Sequence, residues 1–196
     1  MAKLYFKYGA MGSSKTAQAL ITKFNYEERG MKVWLIKPSK ETRDGELLLK
    51  SRIGLTSVAT PIYDTDNIYE IFKAHHTRSD VIIADECQFF NRNHIDEMRK
   101  IVDEMGIPVL CFGLRTDFRT ELFEGSKRLF ELADSIAEIK TICACGRKAT
   151  VNARIDNRGK ITTEGEQLCL GGDDKYIALC HKCYAEKIKN KKSLCS

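Results

Sequence analysis

A chain of 196 residues, 43% of them hydrophobic, can bury one full α/β core and still carry a smaller module. No apolar run approaches the ~20 residues of a membrane span, and the amino terminus lacks a secretory leader's hydrophobic stretch, so a cytoplasmic protein with no membrane partner is expected. The formal charge of +5 suits a polyanionic small ligand and falls short of the dense basic face of a nucleic-acid binder, so no nucleic-acid partner is expected.

The first element, Leu4-Tyr5-Phe6-Lys7-Tyr8, is strand-like. It is followed by Gly9-Ala10-Met11-Gly12-Ser13-Ser14-Lys15-Thr16, and then by Ala17, Leu20, Ile21 and Phe24 at helical spacing. The middle segment nearly spells the phosphate loop G-x-x-x-x-G-K-[ST]. Such a loop wraps phosphates with consecutive backbone N–H groups, and the next helix adds its positive N-terminal end. Lys15 would reach the outer phosphates, and the Thr16 hydroxyl would ligate magnesium. Ser14 stands where the pattern has its last glycine. If that position needs a positive φ, a serine costs about 1–2 kcal/mol, or about tenfold in nucleotide affinity. The competing reading of the segment is a chance strand-turn-helix.

Lys32 to Lys37 reads as a second strand ended by Pro38. Ser39 to Ser57 is polar, lacks a clean period and reads as an irregular loop with a short helical piece. Its Arg43 and Arg52 can clamp phosphate or be merely solvated. Asn67 to His76 fits a short helix with Ile68, Ile71 and Phe72 inward, and His75 and His76 on the surface. Val81-Ile82-Ile83-Ala84-Asp85-Glu86 is a continuous apolar run ending in two acids, the pattern of a buried parallel strand whose C-terminal end faces a nucleotide. One acid can hold the magnesium shell while its neighbour takes a proton from the attacking nucleophile. Two acids closing a strand can also be plain solubilising residues.

Arg92 to Met105 is predicted as a helix with Ile95, Met98, Ile101 and Val102 on one face. Pro108 to Leu114 is another buried strand, ending in the loop Arg115-Thr116-Asp117-Phe118-Arg119. Alternating strands and helices make a mostly parallel sheet with its ligand at the carboxyl edge the economical architecture. Leu114 and Phe118 are apolar where a loop would be polar, consistent with stacking on a flat ligand or with ordinary packing.

Eight cysteines without a secretion signal argue for metal ligands or buried thiols rather than disulfides. Cys143-Ala144-Cys145 and Cys180-His181-Lys182-Cys183, separated by 34 residues, read as two knuckles of a structural zinc site built from four thiolates. The C-x-C spacing is tight, so His181 or Cys169 could replace Cys143. Reduced, unliganded thiols are the alternative. Cys87 and Cys111 read as buried small hydrophobes; Cys195 has no partner. Lys187 to Ser196 holds four lysines and reads as a solvated tail.

The phosphate loop beginning Gly-Ala-Met, the stretch Asp85-Glu86-Cys87-Gln88-Phe89-Phe90, the run Gly113 to Phe118, and Gly171-Gly172-Asp173-Asp174-Lys175-Tyr176 before Cys180 together resemble the cytosolic and bacterial thymidine kinase family. The resemblance runs through nearly the whole chain in order. It implies a P-loop α/β fold of DNA-recombinase-like type over residues 1–139, and a zinc-binding unit with a nucleoside-covering lasso over residues 140–196. It also implies transfer of the γ-phosphate of ATP to the 5′-hydroxyl of thymidine, in a homotetramer with one structural zinc per subunit. On that pattern Glu86 matches the general base and Asp85 the magnesium-side acid. Gly9 to Thr16 match the phosphate loop, with Gln88 in the same nucleotide-binding stretch as Asp85. Met11, Phe89, Leu114 and Phe118 match the walls of the base pocket, and Asn152 a position near the base. The lasso, from Gly165 to Tyr176, would read the pyrimidine largely through backbone groups around Gln167 and Cys169, with Tyr176 over the nucleoside. Ser14, the C-x-C knuckle, and Glu41 before Thr42-Arg43 depart from the family pattern. Two other classes remain open at this level: a P-loop ATPase whose zinc ribbon grips nucleic acid, and a weakened homologue with Ser14 as its lesion. Glu164, Glu166, Asp173 and Asp174 between the knuckles disfavour contact with a phosphate backbone.

Overall fold

The computed structural model describes residues 1–42, 45–156, 159–165, 167 and 176–192. The strands are β1 (Leu4–Tyr8), β2 (Val33–Pro38), β3 (Leu48–Lys50), β4 (Thr56–Val58), β5 (Thr60–Ile62), β6 (Val81–Ala84), β7 (Val109–Gly113), β8 (Ser135–Glu138), β9 (Thr141–Ile142), β10 (Lys148–Ala149), β11 (Val151–Ile155), β12 (Ile161–Thr162) and β13 (Tyr176–Leu179). The helices are α1 (Lys15–Glu27), α2 (Ile68–Ile71), α3 (Arg92–Met105), α4 (Glu124–Leu132) and α5 (His181–Lys192).

Six strands form one sheet in the order β5-β2-β6-β7-β1-β8, and every neighbouring pair is parallel. β6 and β7 are buried at every position, as a sheet covered on both faces requires. One apolar cluster, including Phe6, Trp34, Ile82, Ile95, Met98 and Ile101, fills the side under α2, α3 and α4. A second, including Ala19, Leu20, Leu35, Ile83 and Phe112, fills the side under α1. Only Ala17, Ala19 and Leu20 of the apolar residues of α1 are buried, while Ile21 and Phe24 point outward. α3 follows the sequence expectation, opening where the Asn91 side chain accepts from the His94 N–H and ending at Gly106 with φ 68°.

Three features differ from the sequence reading. The 39–57 segment contains no helical piece among its described residues; it forms the antiparallel hairpin β3–β4. Lys37, fully buried in β2, donates from Nζ to the carbonyls of Gly45 at 2.7 Å and Leu48 at 2.9 Å, a tertiary tether that no local pattern records. His76 lies in the π-helical turn Phe72–His76 and stacks on Trp34 with ring centroids 4.2 Å apart, rather than standing free on the surface. α4 has no counterpart among the predicted elements.

The remaining strands form a two-stranded β10-β9 sheet and a three-stranded β12-β11-β13 sheet. A third apolar cluster, Cys143, Ala149, Val151, Ala153, Ile161, Leu179, Cys180 and Tyr184, is drawn from this part of the chain alone.

Candidate active site

The topology brings three strand ends together. β7 lies between β6 and β1, and because all three run parallel, the loop after β1, the acids after β6 and the loop after β7 leave the sheet at one edge. The loop after β1 is the glycine-serine-lysine segment. A Cβ on Gly9 would come 2.4 Å from both the Ile139 carbonyl and the Ser13 hydroxyl, so only glycine fits. Gly12 has φ 74° and Ser14 has φ 61°. The positive φ that makes a serine costly is therefore present at Ser14.

The loop's own hydrogen bonds maintain that backbone. Ser13 N–H donates to the Ala10 carbonyl at 3.2 Å and Gln18 N–H to the Ser14 carbonyl at 2.9 Å. Lys15 Nζ donates to the carbonyls of Gly9 at 3.1 Å and Ala10 at 2.9 Å and to the Ser13 hydroxyl at 3.3 Å. The strain at Ser14 therefore falls on folding rather than on nucleotide binding. Ser14→Gly is expected to raise unfolding free energy by about 1 kcal/mol or less, the relief being partly offset by glycine's unfolded-state entropy. The dissociation constant for ATP should move by less than about threefold. Denaturant unfolding and calorimetric titration check both numbers, and a tenfold gain in ATP affinity would place the cost in binding instead.

Lys15 is buried, and burial pushes its ammonium below its ordinary pKa while the carboxylates of Glu86 and Asp85 pull it back up. Asp85, only 1% exposed, donates its N–H to the Ile36 carbonyl at 3.1 Å. Its carboxyl is pushed up to about 7, first by burial and then by the Glu86 charge, against a hydrogen bond to Thr16 and the charge of Lys15. Asp85 and Thr16 thus meet across the junction of loop and strand end. Asp85 Oδ2 has no hydrogen-bond partner although it is buried. A buried carboxyl oxygen without a donor, beside a threonine hydroxyl, is the hard oxygen donor set that suits magnesium.

Glu86 follows with φ 50° and ψ 35°, a left-handed conformation that is strained for any residue but glycine and is often found at functional sites. It opens the 3-10 turn Cys87–Phe89. Gln88 Nε2 donates to Glu86 Oε2 at 2.6 Å, and Gln88 Oε1 accepts from the Leu114 N–H at 2.9 Å. Cys87 and Cys111 are fully buried, and burial pushes both thiols up, as expected of inert small hydrophobes.

The loop after β7 carries Leu114 and Phe118. Phe118 is buried, with the Arg154 guanidinium 3.8 Å above its ring. Arg154 also donates to the Tyr176 hydroxyl from Nε at 3.0 Å and Nη2 at 2.7 Å. Phe89 meets Phe123 edge-on at 5.6 Å. Gln167 Nε2 donates to Asp117 Oδ2 at 3.2 Å. Asn152 is a strut: its Oδ1 accepts from the Met11 N–H at 2.8 Å and its Nδ2 donates to the Thr116 carbonyl at 3.0 Å. It thereby ties β11 to both the phosphate loop and the loop after β7. The structure thus gathers Met11, Lys15, Thr16, Asp85, Glu86, Gln88, Leu114 and Asn152 at one edge, with Phe118, Gln167 and Tyr176 linked to it through Arg154 and Asp117. Arg43, Glu166, Cys169, Gly171, Gly172, Asp173, Asp174, Lys175 and Cys195 lie outside the described residues.

Sequence reasoning passed over Arg154 and Tyr184, whose hydroxyl donates to the Phe118 carbonyl at 2.9 Å. An arginine inside the apolar run Val151-Asn152-Ala153-Arg154-Ile155 was the available signal for the first; nothing local marks the second.

The ligand atoms of Cys143, Cys145, Cys180 and Cys183 all lie within 4.8 Å of one another, with Cys145 and Cys180 sulfurs 3.6 Å apart. Zinc–sulfur bonds of ~2.3 Å in a tetrahedron place sulfurs about 3.8 Å apart, so the four thiols fit that ion. Backbone N–H groups of Cys145 and Cys180 aimed at the Cys143 sulfur lower its pKa to about 6, and the Cys183 N–H reaches the Cys180 sulfur at 3.5 Å. His181 is exposed and stands outside the cluster.

A parallel sheet whose edge gathers a phosphate loop, a buried strand-end acid and a second acid behind it, joined to a four-cysteine cluster, defines a P-loop α/β nucleotide-binding protein with a candidate structural metal site. Comparison with known proteins narrows the class. A family model described as "Thymidine kinase" matches residues 2–184. The thymidine kinase of Zymomonas mobilis is 44% identical over 192 residues, covering 97% of this chain and 100% of that protein. That of Legionella pneumophila is 46% identical over 187 residues, covering 94% and 90%, and that of Escherichia coli K12 is 41% identical over 191 residues, covering 96% and 93%. The chain belongs to the thymidine kinase family.

Proposed function

We propose that the chain transfers the γ-phosphoryl group of ATP to the 5′-hydroxyl of thymidine, with deoxyuridine as a second acceptor, giving the nucleoside monophosphate and ADP. The observation that carries this reading is the meeting of Thr16 with Asp85, because it joins the phosphate loop to the acidic strand end at a single edge, within a chain of this family. The family match favours it over an ATPase acting on nucleic acid.

In this reading Gly9 to Thr16 cradle the phosphates, and Lys15 exchanges its carbonyl partners for phosphate oxygens. Thr16 and Asp85 would hold magnesium, which when bound offsets charge on the phosphates. The 5′-oxygen forms a bond to the γ-phosphorus as the bond to the bridging β-γ oxygen breaks and its electron pair leaves on ADP. Glu86 accepts the hydroxyl proton. Positioning and charge supply most of the rate, so the donors that fix the loop matter as much as the base.

Met11, Phe89, Leu114 and Phe118 form the nucleoside walls, with Gln167, Cys169 and Tyr176 in the lasso and Asn152 securing the wall loop to the phosphate loop. The four cysteines hold zinc as a structural ion. The division into residues 1–139 and 140–196 is supported by the third apolar cluster, which draws on the latter segment alone. No described helix is long and apolar enough to cross a membrane, in keeping with a cytoplasmic enzyme, and the working form is a homotetramer. Incubation of the pure protein with magnesium-ATP and a panel of nucleosides tests the proposal. Thymidine monophosphate should appear in step with ADP; ADP without any nucleoside monophosphate would overturn it.

A further inference from the structure

We infer that Gln88 is a positioning residue for Glu86, coupling the proton acceptor to the nucleoside wall, and not a phosphate ligand. The inference rests on the proposed kinase reading and extends it. Both ends of the Gln88 amide are committed within the protein: Nε2 to Glu86 Oε2 at 2.6 Å and Oε1 to the Leu114 N–H at 2.9 Å. The amide's orientation follows from chemistry, because a backbone N–H can only donate. Oε1 must face Leu114, and Nε2 is thereby turned to the carboxylate. The side chain is 2% exposed, which leaves little of it for an incoming triphosphate.

The frame around Gln88 is rigid on two sides. A Cβ on Gly113 would lie 2.5 Å from Cys87 Sγ and 2.7 Å from Gln88 Oε1. One on Gly125 would lie 2.5 Å from the Cys87 carbonyl and 2.7 Å from the Phe90 carbonyl. Two glycines, from β7 and α4, therefore let the turn Cys87–Phe89 seat against their backbones. The Leu114 carbonyl in turn accepts from the buried Ser126 hydroxyl at 2.6 Å. A continuous path thus runs from Ser126 through the Leu114 peptide and Gln88 to the Glu86 carboxylate. A carboxylate on a three-torsion side chain has several rotamers to choose from. The neutral donor that Gln88 places on Oε2 favours one of them without itself adding a charge near the phosphates. Because Leu114 is also a wall of the nucleoside pocket, the same contact registers the base against the substrate.

The test is a double-mutant cycle on the full-length zinc-loaded protein, with Gln88→Met and Gln88→Glu made alone and in the Glu86→Gln background. Gln88→Met keeps the shape and removes both hydrogen bonds; Gln88→Glu keeps the acceptor for Leu114 and replaces the donor to Glu86 by a like charge, so it perturbs the same contact by a different route and guards against a variant that fails to fold. Each should lower kcat by about 10–100-fold with KM for ATP within about threefold of wild type. In the Glu86→Gln background each should cost less than about threefold, because the residue it acts through is already disabled. Losses that multiply, or a rise in KM for ATP at unchanged kcat, would overturn the inference while leaving the kinase reading intact. Full activity in Glu86→Gln itself, or no thymidine monophosphate from wild type, would instead bring down the reading on which it rests.

Discussion

Glu86→Gln is expected to lower kcat for thymidine phosphorylation by about 10²–10⁴-fold, or roughly 3–5 kcal/mol in the barrier, because a positioned general base supplies that share. The substitution is isosteric and removes the capacity to accept the proton together with the carboxylate charge. The left-handed backbone at φ 50° is no worse for glutamine than for glutamate, so folding should be little affected. ATP binding should persist, since Lys15 and the loop amides proposed to bear the phosphates are untouched. Steady-state rates with thymidine and a calorimetric dissociation constant for ATP together check this. A variant that turns over like wild type would remove Glu86 from the chemistry, and one that loses ATP binding in parallel would assign it to the phosphates instead. Asp85→Asn differs in kind: with its orphaned, buried Oδ2, Asp85 is the group proposed on the metal side, so its defect should include a higher magnesium concentration for half-maximal rate.

The contrast between these two neighbouring acids also shows what a sequence can and cannot carry. Their position after a four-residue apolar run is legible because a strand buried on both faces has no polar alternation, and α3 is legible because its inward residues keep a helical period between an Asn91 cap and Gly106. The hairpin β3–β4 was not legible. Of its apolar neighbours, Leu47, Leu48, Ile53, Leu55 and Val58 are exposed and Leu49 is buried, so no face has a period. Among the contacts that hold the segment, the Lys37 ammonium reaches two of its carbonyls from β2. α4 escaped because it is short and opens at Phe123 without a side-chain cap.

At the site, the phosphate loop and the acids could be named from spacing, but their convergence depends on β7 lying between β6 and β1, which is a property of strand order. The contacts that tie the site together join residues far apart in the chain: Asn152 to Met11 and Thr116, Gln88 to Leu114, Tyr184 to Phe118. Each uses a side-chain polar group on a distant backbone group, and no local pattern announces such a pairing. The resemblance to a family supplied Asn152 as a residue near the base; its role as a strut came from geometry.

Those same struts set the second large effect, the removal of the metal proposed for the four-cysteine cluster. The apolar cluster around it is small, eight buried residues from Cys143 to Tyr184, and two of them are themselves cysteines of the site. Structural zinc can supply on the order of 10 kcal/mol to such a unit, far more than a core of that size yields unaided. Stripping the metal with a strong chelator, or replacing Cys180 by serine, should therefore unfold the segment around the cluster and lower the melting temperature. Activity should fall with it, because Asn152 holds the Met11 amide and Tyr184 holds the Phe118 carbonyl from that side. Cys143→Ser should be as damaging as Cys180→Ser, since both sulfurs sit in the same tetrahedron-sized group, whereas His181→Ala should leave zinc content unchanged. Elemental analysis, thermal melts and thymidine monophosphate formation on the same samples separate the cases. Zinc-depleted protein that melts and turns over as before would show that the thiols are packed without a structural ion, and restoration of all three readouts by added zinc alone would place the loss in the metal rather than in damage done by the chelator.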